Sequence, residues 1–172
     1  MHRDRAQRRR AGRLSAWWLG WLLLVAAGAG AQPAVPGVDD LQRLAGTIRA
    51  EHTPLVLVVW AHDCPYCRVL DEKILRPLQA SGELEGRALL RRLELDGPDV
   101  RDFDGRLVTS REFADRYDAW FTPTVLFLDA DGTELAERMV GLSNVDFYPA
   151  YLEQAIDRAV ARLAPERLSP RP

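Results

Sequence analysis

The chain has 172 residues, 47% of them hydrophobic, 28% charged and 8% aromatic. That balance suits one or two globular domains and excludes a mainly disordered or collagen-like polymer. The formal net charge of −2 averages two unlike parts: residues 1–31 hold six of the 23 Lys and Arg and one of the 25 Asp and Glu, which leaves 17 and 24 on the other 141 residues, a net charge of −7. The acidic body carries a single lysine, Lys73, and offers no broad basic face for a phosphate backbone, so nucleic acid is not expected as a partner.

Met1 to Arg13 is cationic, and Leu14 to Ala31 is almost wholly apolar, with Ser15 its one polar side chain. A charged stretch, an apolar stretch and the small residues Ala29-Gly30-Ala31 form the pattern of an export signal cut before Gln32. The competing reading is an uncleaved anchor, because this apolar run reaches the lower limit for crossing a bilayer. Under either reading the remainder is delivered across the membrane. Residues 32–38, with Pro33, Pro36 and Gly37, read as an extended linker.

The body reads as one α/β domain over residues 39–163. Asp39 is placed to cap a first helix through about His52, in which Leu41, Leu44, Ala45 and Ile48 recur at helical spacing. Leu55 to Trp60 is a continuous apolar run, the signature of a strand buried on both faces of a sheet. Beyond the cysteines, Val69, Leu70, Ile74, Leu75 and Leu78 mark a helix that Pro77 should kink. A second strand is expected over Ala88 to Leu95, and Asp96 to Thr109 reads as an insertion or long loop.

Ser110 is then expected to cap a helix through about Trp120. Thr124 to Leu128 reads as a third strand, and Asp129 to Gly132 as a turn into a fourth over Thr133 to Val140. A final helix is expected from about Asn144 to Leu163, with Phe147, Tyr151, Leu152, Ala155, Ile156, Ala159 and Val160 facing inward. Residues 164–172 read as a loose tail.

The chemistry falls at Cys64-Pro65-Tyr66-Cys67, directly after a buried strand and at the start of a helix. A helix start presents unpaired N–H groups and the positive end of the dipole, which stabilise a thiolate at Cys64 and raise its reactive fraction. Pro65 fits the first turn, where its missing N–H has no intrahelical partner. Cys67, one turn on, can reach Cys64, so the pair can exchange two electrons with a substrate disulfide or dithiol. A purely structural bridge is the alternative, although so short a loop removes little entropy from the unfolded chain. Metal binding by Cys64, Cys67 and His62 is another. Zinc would want four ligands, whereas two soft sulfurs could hold copper(I).

Val58-Val59-Trp60-Ala61-His62-Asp63-Cys64-Pro65-Tyr66-Cys67 resembles the strand and active-site turn of the thioredoxin superfamily. Phe121-Thr122-Pro123-Thr124, followed by a strand and Asp129-Ala130-Asp131-Gly132, resembles its second landmark, a cis-proline loop leading into a hairpin, and Gly141 matches the glycine that ends the hairpin. The similarity covers about residues 39–163. Within the superfamily, the insertion before the Ser110 helix looks most like exported SoxW-type thioredoxins.

The resemblance implies a thioredoxin fold: a central mixed sheet of four to five strands flanked by helices, with the Cys-x-x-Cys pair at a helix start. It implies Cys64 as nucleophile, Cys67 as resolving thiol and a redox-active Cys64–Cys67 disulfide. Pro123 would be cis and face the pair, with Thr122 offering backbone hydrogen bonds to an extended substrate segment. Trp60 would shield the thiols or serve as an ordinary core aromatic, and Tyr66 would tune the potential and offer an apolar contact. No cofactor beyond the two sulfurs and no metal is implied.

Two departures matter. Val58 stands where a typical thioredoxin has a buried carboxylate that moves the resolving thiol's proton, and Asp63 replaces the usual tryptophan. Proton transfer to Cys67 must use water or another group, and Asp63 disfavours a neighbouring thiolate. The Pro-Tyr dipeptide is shared with glutaredoxins, but the glycine pair after their cis-proline strand is missing, so a glutathione site is not supported. The expected activity is that of a periplasmic thiol–disulfide oxidoreductase that reduces protein disulfides, or relays electrons to them, from a membrane thiol reductant. A dithiol oxidase or isomerase and a copper(I) metallochaperone module are the rival readings.

Overall fold

The computed structural model describes residues 34–168. The segment read as an export signal or anchor lies outside the described residues, as do residues 169–172. No helix among the described residues is long and apolar enough to cross a membrane.

The elements run α1 (Leu41–Glu51), β1 (Leu55–Trp60), α2 (Pro65–Leu70), a π-helical turn (Asp71–Leu75), α3 (Arg76–Ser81), β2 (Leu89–Glu94), β3 (Val100–Arg101), β4 (Leu107–Val108), α4 (Ser110–Asp115), β5 (Thr124–Leu128), β6 (Met139–Val140) and α5 (Tyr148–Leu168). The main sheet is mixed, in the order β2-β1-β5-β6. β1 pairs in parallel with β2 and antiparallel with β5, which pairs antiparallel with β6. This is the thioredoxin-like α/β fold, a four-stranded mixed sheet between helices.

All six residues of β1 are buried because the sheet is covered on both faces. Alternation along the strand divides them. Val56 and Val58 join Val125 and Phe127 beneath Leu70, Ile74 and the α5 residues Leu152, Ile156 and Ala159. Leu55, Leu57 and Val59 join Leu126 and Leu128 against Leu41, Ala45, Ile48 and Phe113. β1 therefore sits between two apolar layers, and its end carries the site.

Several boundaries differ from the sequence expectation. Asp40, not Asp39, caps α1: its backbone is extended and its carboxylate accepts from Arg43 N–H at 2.7 Å, while Asp39 pairs with the Arg43 guanidinium. Thr109, not Ser110, caps α4 in a reciprocal box with Glu112, and the Ser110 hydroxyl donates to the Pro98 carbonyl. α4 ends at Asp115, short of Trp120. The Asp96–Thr109 insertion contains the two-stranded ribbon β3–β4. β6 is only two residues long, the remainder of 133–140 meeting β5 through a single bridge from Glu134 to Leu128.

The interruption expected at Pro77 is a π turn just before it. Arg76 N–H bonds to Asp71 O, five residues back, and Pro77 enters the first turn of α3. In α5, Tyr148 rather than Phe147 and Tyr151 turns inward: the regular helix begins at Tyr148, and Tyr148, Leu152, Ala155, Ile156 and Ala159 form its buried face. The helix also continues past Leu163, through part of the stretch read as a tail.

Residues 35–38 of the linker are docked. Val35 is buried, Gly37 bridges to Arg92, Arg92 N–H donates to the Pro36 carbonyl, and Val38 N–H donates to the Arg92 carbonyl. These bonds cover the outer edge of β2, which would otherwise present unpaired backbone groups.

Candidate active site

Strand β1 ends at Trp60, and three residues carry the chain to Cys64, the N-cap of α2. Its extended backbone (φ −97°, ψ 106°) lets its sulfur accept the Cys67 N–H at 3.1 Å, in the role a Ser or Asp side chain fills at other helix starts. Pro65 occupies the first turn, where no N–H is required. Cys64 and Cys67 form a disulfide, with Cα atoms 5.2 Å apart. Cys67 has no exposed surface, whereas Cys64 is 9% exposed, so an incoming sulfur meets Cys64 first.

The facing wall comes from the loop before β5. The Thr122–Pro123 peptide bond is cis, and the Thr122 carbonyl oxygen lies 3.4 Å from Cys64 Sγ. The loop is held by Gly141 N–H, which donates to the Pro123 carbonyl at 2.7 Å, and by the Thr124 hydroxyl, which donates to the Phe121 carbonyl at 2.6 Å. Pro123 is buried, while Tyr66, Trp120 and Phe121 are exposed. The Trp120 and Phe121 rings lie 4.4 Å apart.

Trp60 is buried with Cys64 and Cys67 in a small apolar cluster distinct from the two main core layers. Val58 is fully buried among apolar side chains, so this strand position supplies no titratable group. His62 and Asp63 are exposed. Among the described residues no three His, Cys, Asp or Glu side chains gather as metal ligands.

Two residues near the pair were passed over in the sequence. Arg92 on β2 places its guanidinium 5.0 Å from the Trp60 ring centroid and pairs with Glu94 at 3.0 Å. Its signal was a charged residue in the strand paired alongside the one that leads to the cysteines. Asp71 is a buried carboxylate four residues after Cys67. Its signal was an acid standing at core spacing on the helix.

Residues 41–156 match the family described as thioredoxin-like domain. Among solved structures, one titled DsbH oxidoreductase is 17% identical, covers 73% of this chain and 88% of its own length, and superposes with a TM-score of 0.54. A thioredoxin from Thermus thermophilus is 22% identical over 71% of this chain and 87% of its own, with a TM-score of 0.51. The periplasmic thioredoxin SoxS from Paracoccus pantotrophus is 26% identical over 62% and 98%, with a TM-score of 0.41. No curated protein sequence matches the chain. With the family match spanning more than half of the sequence, the protein belongs to the thioredoxin-like domain family.

Proposed function

We propose that the protein is an exported thiol–disulfide oxidoreductase that reduces protein disulfides or relays electrons to them. One observation carries the reading: a disulfide in which Cys67 has no exposed surface and Cys64 keeps 9%, with the Cys64 sulfur at a helix start and 3.4 Å from a backbone carbonyl of the facing loop. In the reduced pair, the Cys64 thiolate attacks a client disulfide and one client thiol leaves. Cys67 then attacks Cys64 Sγ, the second client thiol leaves, and the pair returns to the disulfide state. Two electrons have passed to the client, and a membrane thiol reductant restores them.

Thr122 would bond an extended client segment through its backbone, beside the buried Pro123, with Tyr66 offering apolar contact and Trp60 shielding the sulfurs. Export to the periplasm is supported by the cationic and apolar segment of residues 1–31 with its Ala-Gly-Ala end. The SoxW-type assignment rests on the insertion, here a two-stranded ribbon, and the reducing direction rests on the resemblance to exported thioredoxins.

A Cys67→Ser variant tests the reading. It should capture client proteins as mixed disulfides on Cys64 in the native compartment, and capture of none would count heavily against it. Reduction of insulin by the parent protein, compared with oxidative refolding of a reduced substrate, separates reductase from oxidase or isomerase. Stoichiometric copper(I) retention that disappears in Cys64→Ser, with negligible turnover, would instead favour the metallochaperone module.

A further inference from the structure

We propose that Asp71 accepts the proton of the Cys67 thiol when Cys67 resolves the mixed disulfide on Cys64. The inference rests on the oxidoreductase reading above and adds a residue to it. Cys67, Leu70, Asp71 and Ile74 stand at i, i+3, i+4 and i+7, and all four are buried, so they share the inward face of one helix. Asp71 N–H donates to the Cys67 carbonyl. Residues joined in this way have Cβ atoms about 5–6 Å apart, and helical side chains lean toward the N-terminus. These rules put the Asp71 side chain on the helix face that carries Cys67.

Its two oxygens are in different situations. Oδ2 accepts from Arg76 Nε at 2.6 Å, whereas Oδ1 is buried with no protein partner among the described residues. A buried oxygen left unpaired is costly and invites a functional explanation. The π turn starts at Asp71 itself, and its i+5 hydrogen bond to Arg76 holds that cation against the outer oxygen. Such turns are frequent at functional sites.

Other groups around the pair are engaged or unsuited. Arg92, from the sheet, stacks on Trp60 and pairs with Glu94. Tyr148, from α5, packs in the same core layer as Leu70 and Ile74 with its hydroxyl unpaired, and burial pushes its ionisation upward, away from thiol chemistry. Val58, below the pair, has no proton to exchange.

In the proposed step the Cys67 thiol gives its proton to Asp71 Oδ1, and the resulting thiolate attacks Cys64 Sγ. The Cys64–Cys67 bond forms as the bond from Cys64 to the client sulfur breaks. The electron pair leaves on the client sulfur, which then takes up the proton. The step consumes no further reactant.

Ellman's aromatic disulfide, added to the reduced protein, separates the two stages. Attack by Cys64 releases one aromatic thiolate, and resolution by Cys67 releases the second. In Asp71→Asn the first release should keep the parental rate and the second should slow roughly 100-fold, the low end of what a positioned proton acceptor supplies. Asp71→Glu should recover most of the second rate.

A second release in Asp71→Asn within about twofold of the parent would overturn the proposal. So would equal slowing of both releases in Asp71→Asn, which would make its role purely structural. Loss of the first release in the parent protein would instead sink the oxidoreductase reading. Should Asp71→Asn fail to fold, the unsubstituted reduced protein decides: with carbon-labelled aspartate, the Asp71 carboxyl resonance must respond as Cys67 ionises, and no response overturns the assignment.

Discussion

The guanidinium of Arg92 lies 5.0 Å from the centre of the Trp60 ring. The two residues come from neighbouring parallel strands, and the register that pairs Val58 with Arg92 and Trp60 with Glu94 places both side chains on one face of the sheet. Trp60 thus has the sulfur pair on one side and a cation on another. A half-desolvated cation–π contact is worth about 1 kcal/mol. Arg92→Ala should lower stability by roughly that amount and change the Trp60 fluorescence response to reduction of the disulfide. Urea unfolding and a redox titration followed by emission measure the two effects, and an unaltered emission response would show that the cation does not influence Trp60.

The two cysteines should fail differently. Cys64→Ser removes the sulfur of the less buried cysteine and should abolish turnover on insulin. Cys67→Ser keeps the attacking sulfur, so it should form mixed disulfides at the parental rate without completing the cycle. Stopped reactions resolved by non-reducing electrophoresis distinguish the outcomes. Equal trapping by both variants would mean that Cys64 is not the attacking sulfur.

At high pH two buried phenols should limit stability. Burial pushes Tyr117 up to about 12 and raises Tyr148 further, from an ordinary value near 10. The folded state therefore holds these protons when the unfolded chain has released them. Their contribution is intact below about pH 10 and is lost as pH rises through the folded values. Urea unfolding across the alkaline range should show stability falling while Tyr117 and Tyr148 still hold their protons in the native protein. Tyr117→Phe should reduce that slope, at a cost of about 1 kcal/mol for the bond from its hydroxyl to the Gly132 carbonyl.

The cap of α4 supplies an acid-side counterpart. The Thr109 backbone N–H and hydroxyl donate to Glu112, and the backbone bond above all holds its carboxyl below the usual range. That stability is present above the unfolded value near 4.3 and is lost as pH falls through the folded one. Thr109→Ala should cost about 1 kcal/mol at neutral pH, and Glu112→Gln should flatten the acid limb of the stability profile. A profile unchanged by Glu112→Gln would dismiss the cap as a pH-dependent element.

Gly132 combines a left-handed backbone (φ +80°) with close packing: a Cβ there would stand 2.7 Å from the Tyr117 hydroxyl oxygen and 2.8 Å from the Phe103 ring. Gly132→Ala should therefore destabilise by roughly 1–3 kcal/mol, from backbone strain and overpacking together. Thermal unfolding would read the loss, and a neutral substitution would show that the turn can relax.

The sequence by itself determined the order of the main helices and of the four strands of the main sheet, and the Cys-x-x-Cys pair at the junction of β1 and α2, because these depend on local periodicity and on neighbours a few residues apart; the β3–β4 ribbon was read only as a loop. Sequence alone was less able to choose between adjacent candidates. Asp39 and Asp40, or Thr109 and Ser110, carry equivalent oxygens, and the cap is whichever residue the surrounding packing holds extended. In α5 the same ambiguity turned Phe147 and Tyr151 outward and Tyr148 inward.

Only the tertiary structure brought the Thr122 carbonyl to Cys64 across 58 residues, Arg92 onto Trp60, and residues 36–38 onto the edge of β2. Each of these follows from strand register and loop closure, which act between distant segments and leave no local pattern. Asp71 lies between the two cases: its helical spacing from Cys67 is written in the chain, but its burial and its unpaired oxygen depend on the sheet and helices that close over it.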